Sequence, residues 1–258
     1  MADWKPDLYL TFRNERTQPS IDLVNRIDHQ DPKTIIDIGC GPGNSTTVLQ
    51  KRWPHAQIIG LDNSEAMINK ARSHYPEISW ILKDASDDLS ELGTFDIVFS
   101  NAAFHWMPDQ QQLLQKLFGM LNKNGILAAQ VPNTKQLPFR QEITKLVLSE
   151  RWQARFADMA DPFFMHSADY YYDILCNLTD ELDIWETDYY HVMNSHQDIV
   201  SWTSGTSLRP YLDHLNSSSE TAEFSEDYRL LLMDVYPLQP NGKILFPFTR
   251  VFFVAKNR

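Results

Sequence analysis

The chain has 258 residues, of which 43% are hydrophobic and 22% charged, and its formal net charge is −11. That length suits one large α/β domain or a domain with a subdomain, and the composition is that of a soluble enzyme with a sizeable core. The negative balance argues against nucleic acid as a partner, because phosphate binding needs a positive surface, and no stretch approaches the roughly 18 uninterrupted apolar residues of a membrane span.

The opening decapeptide MADWKPDLYL has no basic region followed by an apolar run. No signal peptide is therefore expected, and the reading is a cytoplasmic protein. Cys40 and Cys176 lie in apolar stretches and are expected to be small buried residues and not a disulfide. No Cys/His cluster has metal-ligand spacing. With no separate apolar interface stretch, a monomer is expected.

In chain order, residues 34–38 (TIIDI) form a β-branched run that ends at a glycine loop, and 45–53 reads as a helix stopped before Pro54. A second strand is expected at 57–61. Ser64 is a plausible N-cap, with Glu65 in the first turn of a helix reaching about residue 74. Strands follow at 78–82 and 95–100, then a helix at 109–121 closed by Asn122 and Gly125, and a strand at 126–131 stopped by Pro132. A helix at 169–178, a long strand at 182–192 and a closing strand at 251–255 complete the pattern. Strands alternating with helices of this length imply a doubly wound, mostly parallel α/β sheet with right-handed crossovers. The whole of 1–258 reads as one domain with two interruptions, at about 133–168 and 193–241. Both carry amphipathic helices rich in aromatic residues and arginine. Insertions late in such a sheet project over the carboxyl ends of its strands, where ligands bind, so they are expected to form a lid over the site.

The strongest local signal is Asp37-Ile38-Gly39-Cys40-Gly41-Pro42-Gly43, a strand running into a glycine-rich turn and a helix start. Glycines let the backbone bend sharply and approach a ligand, and the first N–H groups of the next helix favour an anion. Asp62 stands at the tip of the second strand, about 20 residues on, where an acidic side chain can accept from ribose hydroxyls. Its alternative role is to cap the next helix. A dinucleotide fold uses G-x-G-x-x-G, whereas here the third glycine comes one residue early, which weakens a nicotinamide reading.

This loop resembles that of the class I S-adenosylmethionine-dependent methyltransferases. The resemblance implies a seven-stranded Rossmann-like fold, S-adenosylmethionine as cofactor, and a cofactor site at Asp37, Gly39, Gly41, Gly43, Asp62 and the adjoining Asn63. It also implies an adenine contact at Asp84 and Ala85, and Asn101 beside the methionine part of the cofactor. Asp37 has a competing role, which is to hold the loop by accepting from backbone N–H groups. His105-Trp106 either shape the methyl pocket or simply pack.

Further segments resemble the trans-aconitate methyltransferases. They include Asp3-Trp4-Lys5-Pro6-Asp7-Leu8-Tyr9, Tyr171-Tyr172-Asp173, Asp183-Ile184-Trp185-Glu186-Thr187, Ser195-His196-Gln197 and Leu208-Arg209-Pro210, and the likeness runs from residue 4 to about 254. It implies a small tricarboxylate acceptor esterified on one carboxylate. A carboxylate is already a nucleophile at neutral pH, so no general base is required and no catalytic side chain is assigned; positioning carries the rate. The remaining carboxylates call for Arg anchors. Arg209 is the first candidate, followed by His196 and Tyr172. Tyr9, Phe12 and Arg16 are expected to close over the cofactor, with Trp106 and Trp202 as pocket walls. The rival readings are a quinone-precursor C-methyltransferase, a nicotinamide-dependent oxidoreductase, and a protein that binds the cofactor without turnover.

Overall fold

The computed structural model describes residues 13–258, with side chains from Arg16 onward. Tyr9 and Phe12 lie outside the described residues. Seven strands form one sheet in the order β3-β2-β1-β4-β5-β7-β6. They are β1 (Thr34–Ile38), β2 (Gln57–Asp62), β3 (Ser79–Leu82), β4 (Phe95–Asn101), β5 (Leu121–Pro132), β6 (Leu182–Met193) and β7 (Ile244–Lys256). The first five pair in parallel, and β7 runs antiparallel to both β5 and β6, so it alone is reversed.

Helices α1 (Arg13–Arg26), α2 (Asn44–Arg52), α3 (Glu65–His74) and α4 (Gln110–Gly119) belong to the first half. Then come α5 (Pro138–Val147), α6 (Ala168–Leu175), α7 (His196–Ser204), α8 (Arg209–His214) and α9 (Ser218–Val235). Local chemistry sets several starts. Ser64, Ser195 and Ser217 each accept a backbone N–H from three residues on, at the head of α3, α7 and α9 respectively. Among the described residues, no helix is long and apolar enough to cross a membrane.

Three differences from the sequence expectations have plain causes. The helix expected over 109–121 ends at Gly119, and β5 begins at Leu121 opposite Phe95, with a register shift before Ile126 pairs Ile97. Asn122 donates to Asp96 from within that irregular stretch. The closing strand is 13 residues long, because it continues N-terminally along β6. Cys40 is buried as expected, but Cys176 is exposed, four residues after exposed Tyr172 and on the same outer face of the chain leaving α6; both thiols are free.

The apolar residues gather in two main masses. One lies against the sheet and includes Ile36, Val98, Phe104, Leu114, Leu127, Val251 and Phe253. The other joins the two insertions and includes Phe139, Trp202, Phe224, Tyr228 and Leu232, with Ile244, Phe246 and Phe248 of β7. Tyr228 donates to the carbonyl of Phe139, and Tyr236 accepts from its N–H, tying residues of α5 and the end of α9 together.

Trp80 of β3 supports the glycine loop from below: its ring lies against both Gly60 and Gly43, and its indole N–H donates to the Tyr75 carbonyl at 2.9 Å. A Cβ at Gly60 would overlap a ring that cannot swing aside without losing that bond. Gly60→Ala should therefore cost about 1–3 kcal/mol, read as a lower denaturant midpoint at unchanged slope. An unchanged midpoint would show that Trp80 relaxes freely.

Candidate active site

The carboxyl ends of β1, β2, β3 and β4 surround a cavity of about 600 Å³. It lies where strand order reverses between β1 and β4, the switch point of a doubly wound sheet. Of the expected cofactor residues, Gly39, Gly41, Asp62, Asn63, Asp84, Ala85 and Asn101 line it. Asp37 and Gly43 are not among the lining residues.

The loop is held largely by its backbone N–H groups, most of which donate to the end of β2. The N–H groups of Gly39 and Cys40 donate to the Leu61 carbonyl at 2.8 and 3.0 Å, and that of Gly43 to the Cys40 carbonyl at 3.1 Å. Gly41 donates to Asp62 Oδ2 at 2.9 Å, and Ser64 N–H to Oδ1 at 2.9 Å. Asp62 thus both caps the turn and faces the cavity. A Cβ on Gly41 would meet no atom of the described residues within 4 Å, and its φ of +55° is one that side chains rarely adopt. Space beside Gly41 is therefore open to a ligand that comes close to the backbone.

Asp37 is fully buried and accepts the hydroxyls of Ser45 and Thr46, both at 2.7 Å, so it ties β1 to the first turn of α2. Burial raises its carboxyl to about 6, against the pull of those two hydroxyls. Asp84 is different. Burial opposes its ionisation, but bonds from the Ser86 backbone and hydroxyl and from Asn63 outweigh it and hold the carboxyl below its usual range. Two buried polar atoms on the cavity wall have no partner among the described residues, Asn101 Oδ1 and Asn44 Nδ2.

A second, smaller pocket of about 60 Å³ adjoins the first, and Arg16, Ala102 and Trp106 line both. Ala102 carries a φ of +55°, an uncommon conformation for a residue with a Cβ, as β4 turns into the short 3₁₀ segment Phe104–Trp106. Trp106 packs on Phe163 with ring centres 4.6 Å apart. Trp202 is also on the wall, and the Arg16 guanidinium lies over its ring, 4.9 Å from the centroid, and donates to its carbonyl at 3.2 Å.

The remaining acceptor candidates sit elsewhere. Arg209 opens α8 and pairs with Asp213 one turn on at 3.1 Å; it lines neither cavity. His196 bonds through Nε2 to the Tyr236 carbonyl at 2.8 Å and fastens α7 to the end of α9. Tyr172 is 53% exposed, while its neighbour Tyr171 is buried and donates to Gln110 at 2.7 Å. Sequence reasoning did not single out Arg250 of β7, which is buried, lines the second pocket and donates to Gln130 Oε1 at 3.0 Å. Its one signal was a cation inside the otherwise apolar run of the closing strand.

A glycine loop, acidic strand tips and a seven-stranded sheet with one reversed strand define a class I methyltransferase. A family model described as a methyltransferase domain matches residues 29–196. The chain is 42% identical over 256 residues to a trans-aconitate 2-methyltransferase of Enterobacter sp. (strain 638), covering 99% of each. It is 41% identical over 258 residues to that of Escherichia coli (strain K12 / DH10B), with the same coverage. Among solved structures, the YcgJ protein of Bacillus subtilis superposes with a TM-score of 0.60 at 17% identity, covering 93% of this chain and 99% of that one. Coclaurine N-methyltransferase bound to N-methylheliamine and S-adenosylhomocysteine gives 0.56 at 15%, covering 93% and 72%. The chain belongs to the trans-aconitate 2-methyltransferase family.

Because the Asp37 carboxyl is raised in the fold, its contribution to stability is complete below about pH 4, the unfolded value, and is lost as pH rises through about 6. The melting temperature of Asp37→Asn should therefore gain on that of the wild type between pH 4 and 6. A difference that stays constant over this range would mean that Asp37 titrates as an ordinary carboxyl.

Proposed function

We propose that this protein transfers a methyl group from S-adenosylmethionine to one carboxylate of trans-aconitate, releasing the monomethyl ester and S-adenosylhomocysteine. The observation that carries this reading is the shared wall of the two cavities. A group held in the large cavity and an acceptor held in the small one meet at Arg16, Ala102 and Trp106, where the one charged side chain is a cation.

The large cavity fits the cofactor. Asp62 at the tip of β2 supplies carboxylate oxygens for ribose hydroxyls, and each such oxygen accepts more than one hydrogen bond. Asp84, held ionised, suits the adenine amino group, and Asn63 steadies it. The open space at Gly41 admits a close-lying ligand, and Asn101 and Asn44 in the same lining each carry a buried polar atom without a partner among the described residues. When bound, the cofactor supplies a methyl group on a sulfonium, an electrophile that needs no activation by the protein.

The protein's own task is then orientation and exclusion of water. A carboxylate is ionised at neutral pH, so no proton has to be removed. Burial lowers the imidazole of His105, which lines the small pocket, to about 3, with help from the charges of Arg250 and Arg140. Such a group is a poor proton acceptor, which favours a carboxylate acceptor over a ring carbon that must be deprotonated.

The insertions act as the lid. Arg140 of α5 reaches Asp161 at 3.0 Å and lies over the Phe163 ring, so the segment carrying Phe163 and Met165 is pinned across the small pocket. Closure of this kind keeps water from the acceptor.

Labelled S-adenosylmethionine should methylate trans-aconitate in preference to cis-aconitate, citrate and isocitrate, and mild alkali should release the label as expected for an ester. Failure to label any tricarboxylate, with cofactor still bound, would discard the acceptor. Asp62→Asn should weaken cofactor binding roughly 10- to 100-fold, as expected for loss of a charged acceptor. Unaltered affinity would remove Asp62 from the ribose.

A further inference from the structure

The small pocket is too small for a whole tricarboxylate: about 60 Å³ stands against the roughly 300 Å³ of the smallest usual ligand pockets. It has room for one arm. The described residues that line it include two buried guanidiniums, Arg16 and Arg250, and no carboxylate.

Two residues of the same lining, Ser207 and His105, each carry a buried neutral polar atom, Oγ and Nδ1 respectively, with no partner among the described residues. His105 is buried, so the unmatched nitrogen carries a real cost unless a ligand meets it.

Arg250 is fixed more firmly than a surface arginine could be. Its backbone forms the last rung of the β5–β7 ladder, opposite Pro132. Its side chain is held by Gln130 and lies over the Phe248 ring, 4.7 Å from the centroid. The surroundings register its charge, since burial and the nearby arginines drive both His105 and His191 toward the neutral form. A preorganised guanidinium with neutral hydrogen-bonding groups beside it is a receptor for a carboxylate.

We propose that Arg250 and Arg16, with Ser207 and His105 beside them, bind one carboxylate of the acceptor that is not methylated. This assignment rests on the functional reading above, and it names the part of the site that sets specificity. The anchored arm enters the small pocket, and the carboxylate to be esterified is left at the shared wall.

The test uses three dicarboxylates, each lacking a different carboxylate of trans-aconitate: mesaconate, cis-glutaconate and itaconate. Their binding to the full chain is measured by calorimetry in the presence of S-adenosylhomocysteine, for the wild type, Arg250→Gln, Arg250→Lys and Ser207→Ala. In Arg250→Gln, trans-aconitate and the two dicarboxylates that keep the anchored group should weaken roughly 10- to 100-fold. The third dicarboxylate should bind as it does to the wild type. Arg250→Lys should recover part of the loss. Ser207→Ala, which removes a hydroxyl with no partner in the described protein, should show the same selectivity at smaller size, and S-adenosylhomocysteine affinity should not move in any variant.

A uniform loss across all three dicarboxylates, or none, would overturn the subsite while leaving methyl transfer to trans-aconitate intact. A wild type that binds neither trans-aconitate nor any of the three would overturn the acceptor reading itself.

Discussion

The antiparallel ladder between β5 and β7 is the constraint on which the rest of the molecule depends. Residues 126–132 of β5 pair with 250–256 of β7, and β5 then stops, while β7 continues alone beside β6. Below that rung β7 contributes Val251, Phe253 and Ala255 to the core against the sheet. Above it, Ile244, Phe246 and Phe248 enter the core shared by the two insertions. Arg250 stands at the change of level, so the register that completes the sheet also sets the height of a cation in the wall of the small pocket. A slip of one residue would turn every side chain of β7 to the opposite face.

The electrostatics follow from that placement. The chain as a whole is strongly negative, yet the small pocket presents guanidiniums and neutral donors. Local geometry outweighs net charge here, because interactions across a buried pocket are screened far less than those over the surface. The histidines nearby report the same field: burial and the arginines together keep His105 and His191 uncharged, so the pocket holds its positive charge on groups that cannot lose a proton at physiological pH.

The lining of the large cavity was legible in the sequence because its residues follow local rules. A glycine turn after one strand and a carboxylate at the tip of the next are set by a few residues each, and Asp62, Asp84 and Asn101 do face the cavity. The same local rules did not separate a residue on the cavity wall from one off it, and Asp37 proved to brace the loop through Ser45 and Thr46. The small pocket is assembled from distant segments, which local rules do not bring together. Arg209 drew attention by its place before Pro210, although Asp213 one turn on was visible as a helical partner. Tyr172 was chosen over Tyr171, whereas helical phase puts Tyr171 with Ile174 and Leu175 on the buried face. Arg250 was hidden because the inward direction of a residue in β7 is decided by its pairing with β5, more than 100 residues earlier in the chain.

The position of β7 also has a bearing on how the molecule is made. It follows the other six strands in the chain, yet it lies inside the sheet, between β5 and β6. The parallel unit of β1 to β5 can pair as it is synthesised, but β6 has no neighbour in the sheet until β7 is inserted. The second core likewise waits for Phe246 and Phe248. Until that moment the nascent chain carries two open strand edges and an uncovered aromatic cluster, the features that invite association with other chains. Insertion of β7 is thus the step that closes both the sheet and the second core.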